Sequence, residues 1–299
     1  MKRNSEASPK VDDCPLVSIC LPVFNCEKTL ATAIRSILNQ SYGNWELLLM
    51  EDGSSDRSLE VARSIADPRI SVFTDHSHNG LVPRLNRAIE MSRGKYFARI
   101  DGDDVAYPER LERQAKYLEE HPEVDLLGCS MLVFKGDGVA MGCRLAPETH
   151  EEICKRPTAG FHIWHPTWIG RTSWFRAHPY DAKAIRVEDQ VLLLRSYSTS
   201  RFACLPDILV GYREESVSLS KSFVSRHSFC KSLLREAFDH GSYFLAARGL
   251  LGQVLKGLVD LIAVCTGLNY RLLPHRARPA EESVRKRWTQ VWSGVQPTI

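Results

Sequence analysis

The chain has 299 residues, 43% hydrophobic and 25% charged, an ordinary globular composition that excludes a fibrous or intrinsically disordered protein. Its 39 Lys/Arg against 36 Asp/Glu leave a net charge of +3, too small to point to nucleic acid as a partner. Nine cysteines with no CxxC pair suit free thiols in a reducing cytoplasm better than a disulfide scaffold or a zinc site.

Residues 1–14 are polar and charged and read as a fraying N-terminus rather than a signal peptide. Leu16 to Phe24 is a nearly unbroken apolar run, as expected of a strand buried on both faces, and Asn25 is placed to cap the helix that follows, with Leu30, Ile34, Ile37 and Leu38 at helical spacing. Trp45 to Met50 reads as a second strand, closed by Glu51-Asp52-Gly53-Ser54-Ser55-Asp56. Ser58 to Ala66 reads as a helix, Ile70 to Thr74 as a third strand and His76 to Gly80 as a loop. Leu81 to Arg93 is a helix with Gly94 as its C-terminal punctuation. A fourth strand runs from Tyr96 into Asp101-Gly102-Asp103-Asp104, and Pro108 opens a helix carrying Leu111, Ala115 and Leu118.

Four strands alternating with helices predict βαβ units in a mostly parallel, Rossmann-like α/β sheet, with ligands at its carboxyl edge. That edge receives Phe24-Asn25, Asp52 and Asp101-Asp103 from three strand ends. Three carboxylates within four residues repel one another unless a cation joins them, and hard oxygens suit Mg²⁺ or Mn²⁺; a solvated acidic turn is the plainer reading of an isolated DxDD. No GxGxxG follows the first strand and no GxxxxGK[ST] occurs, which argues against dinucleotide and P-loop sites.

Beyond Val124 the pattern loosens. Val124 to Phe134 reads as a strand and Lys135-Gly136-Asp137-Gly138 as a hairpin turn. Trp164-His165-Pro166-Thr167-Trp168 leads into a strand through Ile169, and Val187-Glu188-Asp189-Gln190 opens a helix. Phe202 to Leu205 and Ile208 to Tyr212 read as edge strands. From Phe244 to Leu268 the chain resembles a membrane span, but Arg248, Lys256 and Asp260 interrupt it, and the pattern is amphipathic.

Two stretches carry more than a generic α/β signal. One is Val17-Ser18-Ile19-Cys20-Leu21-Pro22-Val23-Phe24-Asn25-Cys26-Glu27, followed by Ser36 to Tyr42, Trp45-Glu46-Leu47 and Asp52-Gly53-Ser54-Ser55-Asp56. The other is Asn86-Arg87-Ala88-Ile89, Arg99-Ile100-Asp101-Gly102-Asp103-Asp104 and Pro108-Glu109-Arg110-Leu111, with Glu188-Asp189 and Leu205 to Arg213 further on. In this order they resemble a family 2 glycosyltransferase of the GT-A fold over roughly residues 15–220.

The resemblance implies an inverting, metal-dependent transferase. It would move a sugar from a nucleotide-sugar donor, with UDP the commonest expectation, to a hydroxyl of a saccharide or lipid-linked acceptor in surface polysaccharide or glycolipid assembly. It implies that Pro22, Phe24, Asn25, Glu27 and Asp52 surround the nucleotide, with Phe24 against the base. Asp101 would face the ribose or the metal, Asp103 would ligate Mn²⁺ or Mg²⁺, and Asp189 would be the general base. Taken singly, Asp52 could cap a helix, Phe24 could be core, and Asp189 could be a first-turn acid. Trp164, His165 and Glu188 are candidates for the acceptor site, although His165 serves equally well as a structural histidine, and the tryptophans at 164, 168 and 174 suit either a sugar face or core. Where many relatives carry a histidine, this chain has Glu214-Glu215.

The implied organisation is a GT-A domain over 15–215, divided into a nucleotide-binding half (15–110) and an acceptor half (111–215). Residues 216–299 form a helical extension with a basic tail. From Leu268 onward six Lys/Arg face two Glu, so 244–287 could rest on an anionic membrane at the inner face of the plasma membrane, or pack on the domain. A sugar-1-phosphate nucleotidyltransferase would want a Gly-rich loop after the first strand, which Pro22-Val23-Phe24-Asn25 is not. A catalytically inactive binding module would be expected to have lost the acids that are present here.

Overall fold

The computed structural model describes residues 14–214, 219–240, 243–265 and 277–296; the expected flexible N-terminus (apart from Cys14), Glu215, Arg271 and Arg276 lie outside them. The strands are β1 (Val17–Val23), β2 (Trp45–Glu51), β3 (Ile70–Phe73), β4 (Tyr96–Arg99), β5 (Val105–Ala106), β6 (Leu126–Lys135), β7 (Val139–Arg144), β8 (Ile169–Arg171) and β9 (Phe202–Arg213). The helices are α1 (Leu30–Leu38), α2 (Ser58–Ser64), α3 (Leu81–Met91), α4 (Arg110–Glu120), α5 (His150–Ile153), α6 (Thr172–Ala177), α7 (Glu188–Ser196), α8 (Leu219–His240), α9 (Tyr243–Cys265) and α10 (Glu282–Val295).

The strands form one sheet in the order β3-β2-β1-β4-β8-β6-β9-β5, with β7 paired to β6. β3, β2, β1 and β4 are parallel, as the alternating pattern predicts. β8 then runs antiparallel to both β4 and β6, so the second half is mixed. β1 and β2 read as continuous apolar runs because alternate residues serve two cores. Ile19, Leu21, Leu47 and Leu49 pack with Leu30 and Ile34 of α1 on one face, while Cys20, Leu48 and Met50 pack with Leu85 and Ile89 of α3 on the other.

Several local expectations need correction. Asn25 does not cap α1, which starts at Leu30 behind Thr29; Asn25 sits instead at φ 50°, a left-handed conformation that Asn tolerates. α3 ends at Met91 with Ser92 extended, and Gly94 serves packing rather than helix termination. A Cβ there would lie 2.6 Å from the Leu16 carbonyl oxygen, so glycine permits the close approach of β1. α4 begins at Arg110 rather than Pro108. Phe202 to Tyr212 is one strand, not two edge strands, and lies between β6 and β5. Its parallel register with β6 slips between Leu205 and Ile208, which accommodates Pro206, a residue with no N–H for the ladder.

The end of the expected basic tail is a docked helix. Trp288, Val291 and Val295 of α10 are buried against Tyr107, Leu132 and Phe134. Trp288 Nε1 donates to the Gly138 carbonyl at 2.7 Å, beside the hairpin turn that the glycines at 136 and 138 make at positive φ. Arg278 pairs its backbone with Cys143 at the edge of β7, and Arg287 meets Glu109 at 2.9 Å.

Candidate active site

The carboxyl ends of β1, β2 and β4 open onto two adjoining clefts of about 1100 and 1060 Å³, which meet at His78, Gly80, Leu81 and Asp101. The first gathers Pro22, Phe24, Asn25, Glu27, Asp52, Asp101 and Asp103, residues that the sequence distributes over eighty positions. Phe24 is 45% exposed, an unusual position for a core residue, and its ring stacks on His78 with centroids 4.2 Å apart. The Asn25 side-chain oxygen accepts the Ser55 N–H at 2.9 Å, and the Glu27 carboxylate accepts the Arg57 N–H at 2.9 Å before α2. Both contacts tie the loop after β1 to the loop after β2.

Asp52 is buried and does not cap a helix. Its carboxylate accepts from Asn79 N–H at 2.9 Å, Gly80 N–H at 3.0 Å and Arg84 Nε at 2.8 Å, and lies 2.8 Å from His78 Nδ1. Arg84, itself buried, bridges on to Asp75 and the Ser77 carbonyl. Asp52 thus fixes the loop that carries His78 and so positions the wall facing Phe24.

At the end of β4, Arg99 donates to Asp101. Asp103 faces the cleft, and its carboxyl is pushed up to about 6, first by the protein around it and then by the charge of Asp101. Asp104 is buried; one oxygen accepts the Arg213 N–H at 2.9 Å and the other has no partner among the described residues. Burial, then Asp103 and Asp101, raise its carboxyl well above the usual range. Asp101 and Asp103 line the cleft together, and a carboxyl whose ionisation is opposed by burial and by a neighbouring acid is a donor that a hard divalent cation would relieve, so this pair fits such an ion.

The second cleft holds Trp164, His165, Glu188 and Asp189. Asp189 lies in the first turn of α7 and accepts from Gln190 Nε2 at 3.1 Å; burial raises its carboxyl, and Gln190 and Arg99 draw it back. Glu188 is pushed up to about 7 by burial and by the Asp189 charge. His165 contacts the Tyr180 hydroxyl at 2.8 Å through Nε2 and lies 3.7 Å from Glu188 through Nδ1. Burial and Arg99 depress it well below the ordinary histidine value, so it is neutral and its approach to Glu188 is no ion pair. Trp168 and Trp174 are core, which leaves Trp164 as the tryptophan of that trio at the cleft. Glu214 is held by Arg144 at 2.7 Å.

Sequence reading missed His78, Arg99, Arg213 and Trp292. Arg213 donates to the Asp103 carbonyl at 3.1 Å and lies over the Phe134 and Trp292 rings, and Trp292 reaches the first cleft from α10. The tryptophan was the available signal, since an aromatic pair at 288 and 292 is foreign to a solvated tail.

A mixed sheet of this order, with acids beyond β4 and a second acidic pair across a shared boundary, defines an enzyme of the GT-A type. The model of the family described as "Glycosyl transferase family 2" matches residues 18–178, and the chain belongs to that family. It is similar to the putative glycosyltransferase EpsE of Bacillus subtilis, 37% identical over 209 residues that make up 68% of this chain and 74% of the other. It is also similar to the Escherichia coli UDP-Glc:alpha-D-GlcNAc-diphosphoundecaprenol beta-1,3-glucosyltransferase WfgD, 37% identical over 74% of this chain and 83% of that one. Among solved structures, S. aureus TarS with UDP-GlcNAc aligns at TM-score 0.61 and 19% identity over 94% of this chain and 81% of the other. The Pyrobaculum calidifontis mannosyltransferase PcManGT with GDP-Man and Mn²⁺ aligns at 0.59 and 13% over 98% and 88%. These two show the same fold.

Proposed function

We propose that this glycosyltransferase moves a sugar with inversion from a UDP-sugar in the first cleft to a hydroxyl of a lipid-linked saccharide in the second. The observation that carries the reading is the meeting of the two clefts at Asp101, with a strand-end acid cluster on one side and Asp189 on the other. UDP and the lipid-linked acceptor come from the WfgD and TarS comparisons.

The nucleobase stacks on the exposed Phe24–His78 pair, and Asn25, Glu27 and the loop held by Asp52 enclose the ribose. Asp101 and Asp103 would hold a divalent ion, which when bound neutralises charge developing on the leaving diphosphate. Asp189 accepts the acceptor hydroxyl proton as the oxygen attacks the anomeric carbon. The new glycosidic bond forms as the bond to the diphosphate oxygen breaks, and the nucleoside diphosphate leaves with the electron pair. Because an alcohol is too weak an acid to ionise first, proton transfer accompanies attack, and a raised carboxyl pKa makes Asp189 a better base. Glu188, His165 and Trp164 line the acceptor side.

Calorimetric titration of UDP, GDP, dTDP and ADP, with Mn²⁺ and with chelator, tests the donor side: UDP should bind selectively and only with metal. Asp189→Asn should abolish transfer, by a factor on the order of 10³ or more, while UDP affinity stays unchanged. Full activity in that variant would remove Asp189 as the base, and equal UDP binding with chelator would remove the metal.

A further inference from the structure

An amphipathic helix on a protein normally turns its apolar side inward. α9 does the reverse. Its inner side is small or polar: Ala246 and Gln253 are buried, Lys256 Nζ donates to the Ala159 carbonyl at 2.7 Å, and a Cβ on Gly249 would stand 2.9 Å from Thr158. Arg226 of α8 also donates to Gln253, at 3.2 Å. Its outer side carries Phe244, Leu251, Leu255, Leu258 and Ile262, between 50% and 83% exposed. Spaced three, four or seven apart, they form one stripe about 27 Å long. Phe238 and Tyr243, exposed and in edge contact with each other, extend it at the N-terminal end of α9.

Charge selects the occupant of this face. With Arg226 and Lys256 engaged on the inner side, the described side chains of α8 and α9 leave Lys231, Arg235 and Arg248 exposed against Asp239. A two-fold contact between copies would bring this positive face onto itself. An anionic lipid surface complements it, with Phe and Leu entering the headgroup region and Lys/Arg remaining among the phosphates. No helix among the described residues is long and apolar enough to cross a membrane, so α9 would lie in the plane of the surface.

We propose that the outward apolar face of α9 docks on an anionic bilayer and holds the second cleft, which Gln253 and Lys256 line from the inner side of the same helix, against that surface. The consequence for catalysis rests on the acceptor reading above, whereas the docking itself does not.

Full-length protein is co-sedimented with vesicles of phosphatidylglycerol and phosphatidylcholine in equal parts, and with phosphatidylcholine alone. Binding should require the anionic lipid. The triple variant Leu255→Glu, Leu258→Glu, Ile262→Glu should lower it on the order of tenfold or more, with circular dichroism and UDP affinity unchanged. Failure to bind anionic vesicles, or undiminished binding by the folded triple variant, overturns the proposal. So does a concentration-dependent dimer that the triple variant abolishes, since that assigns the face to a second copy. Vesicle binding without any nucleotide binding leaves this proposal standing and removes the donor reading instead.

Discussion

Asp103 and Glu188 carry the electrostatic strain of the site, one in each cleft. Glu188 has a folded-state pKa near 7, against the ordinary glutamate value in the unfolded chain. Below the unfolded value both states are protonated and the group is neutral in effect. As pH rises the unfolded chain ionises first, so the folded state is progressively disfavoured, fully so above about pH 8. Glu188→Gln should therefore be more stable than the parent by about 3 kcal/mol at high pH and equal to it near pH 4, as read by urea unfolding at both ends. A difference that does not change with pH would mean that Glu188 is not held protonated by its surroundings. Asp103 follows the same sign, and there a cation can relieve the repulsion. Mn²⁺ should raise Tm more at pH above about 7 than at about 5, and Asp103→Asn should remove that gain; an equal Mn²⁺ effect in the variant would move the metal elsewhere.

The elements divide into those whose identity is local and those that depend on distant partners. β1, β2, β4 and α3 were legible because burial on both faces or on one stripe leaves a periodic apolar trace. β9 was broken in two by Pro206, and only its register slip against β6 shows how the proline is tolerated. α10 is hidden because Arg285, Lys286 and Arg287 stand among its apolar positions, Val284, Trp288, Val291, Trp292 and Val295, and give the segment the look of a basic tail. The residues that line the first cleft could be grouped through the family resemblance, whereas His78 and Arg213 acquire meaning only in the folded chain. Trp288 touches Phe134 and Tyr107 and is held by Gly138, while Trp292, one turn on, faces the first cleft. Trp288→Ala should cost about 3–5 kcal/mol and also weaken UDP binding, because undocking α10 withdraws Trp292. If stability fell with nucleotide affinity intact, α10 would be a strut and no part of the donor cleft.

Across the whole molecule, the parallel half of the sheet and its mixed half join where β8 pairs antiparallel with β4, and Arg99 stands at that seam. It is buried, its N–H donates to the Trp168 carbonyl at 3.1 Å, and its guanidinium reaches Asp101 and the second cleft. Its charge draws down the carboxyls of Asp103 and Asp104 on one side and of Glu188 and Asp189 on the other. One buried cation therefore serves both clefts, and Coulomb interactions in a poorly solvated interior reach that far. Removing it should raise all four carboxyl pKa values together. Arg99→Met should move the acid limb of kcat/KM to higher pH, with activity partly recovered as pH rises, and Arg99→Lys should restore the original limb. A merely structural arginine predicts a different result, a loss of equal size at every pH, because misplaced groups are not repaired by deprotonation. An unshifted limb in a folded Arg99→Met protein would leave the two clefts electrostatically independent, joined by the sheet alone.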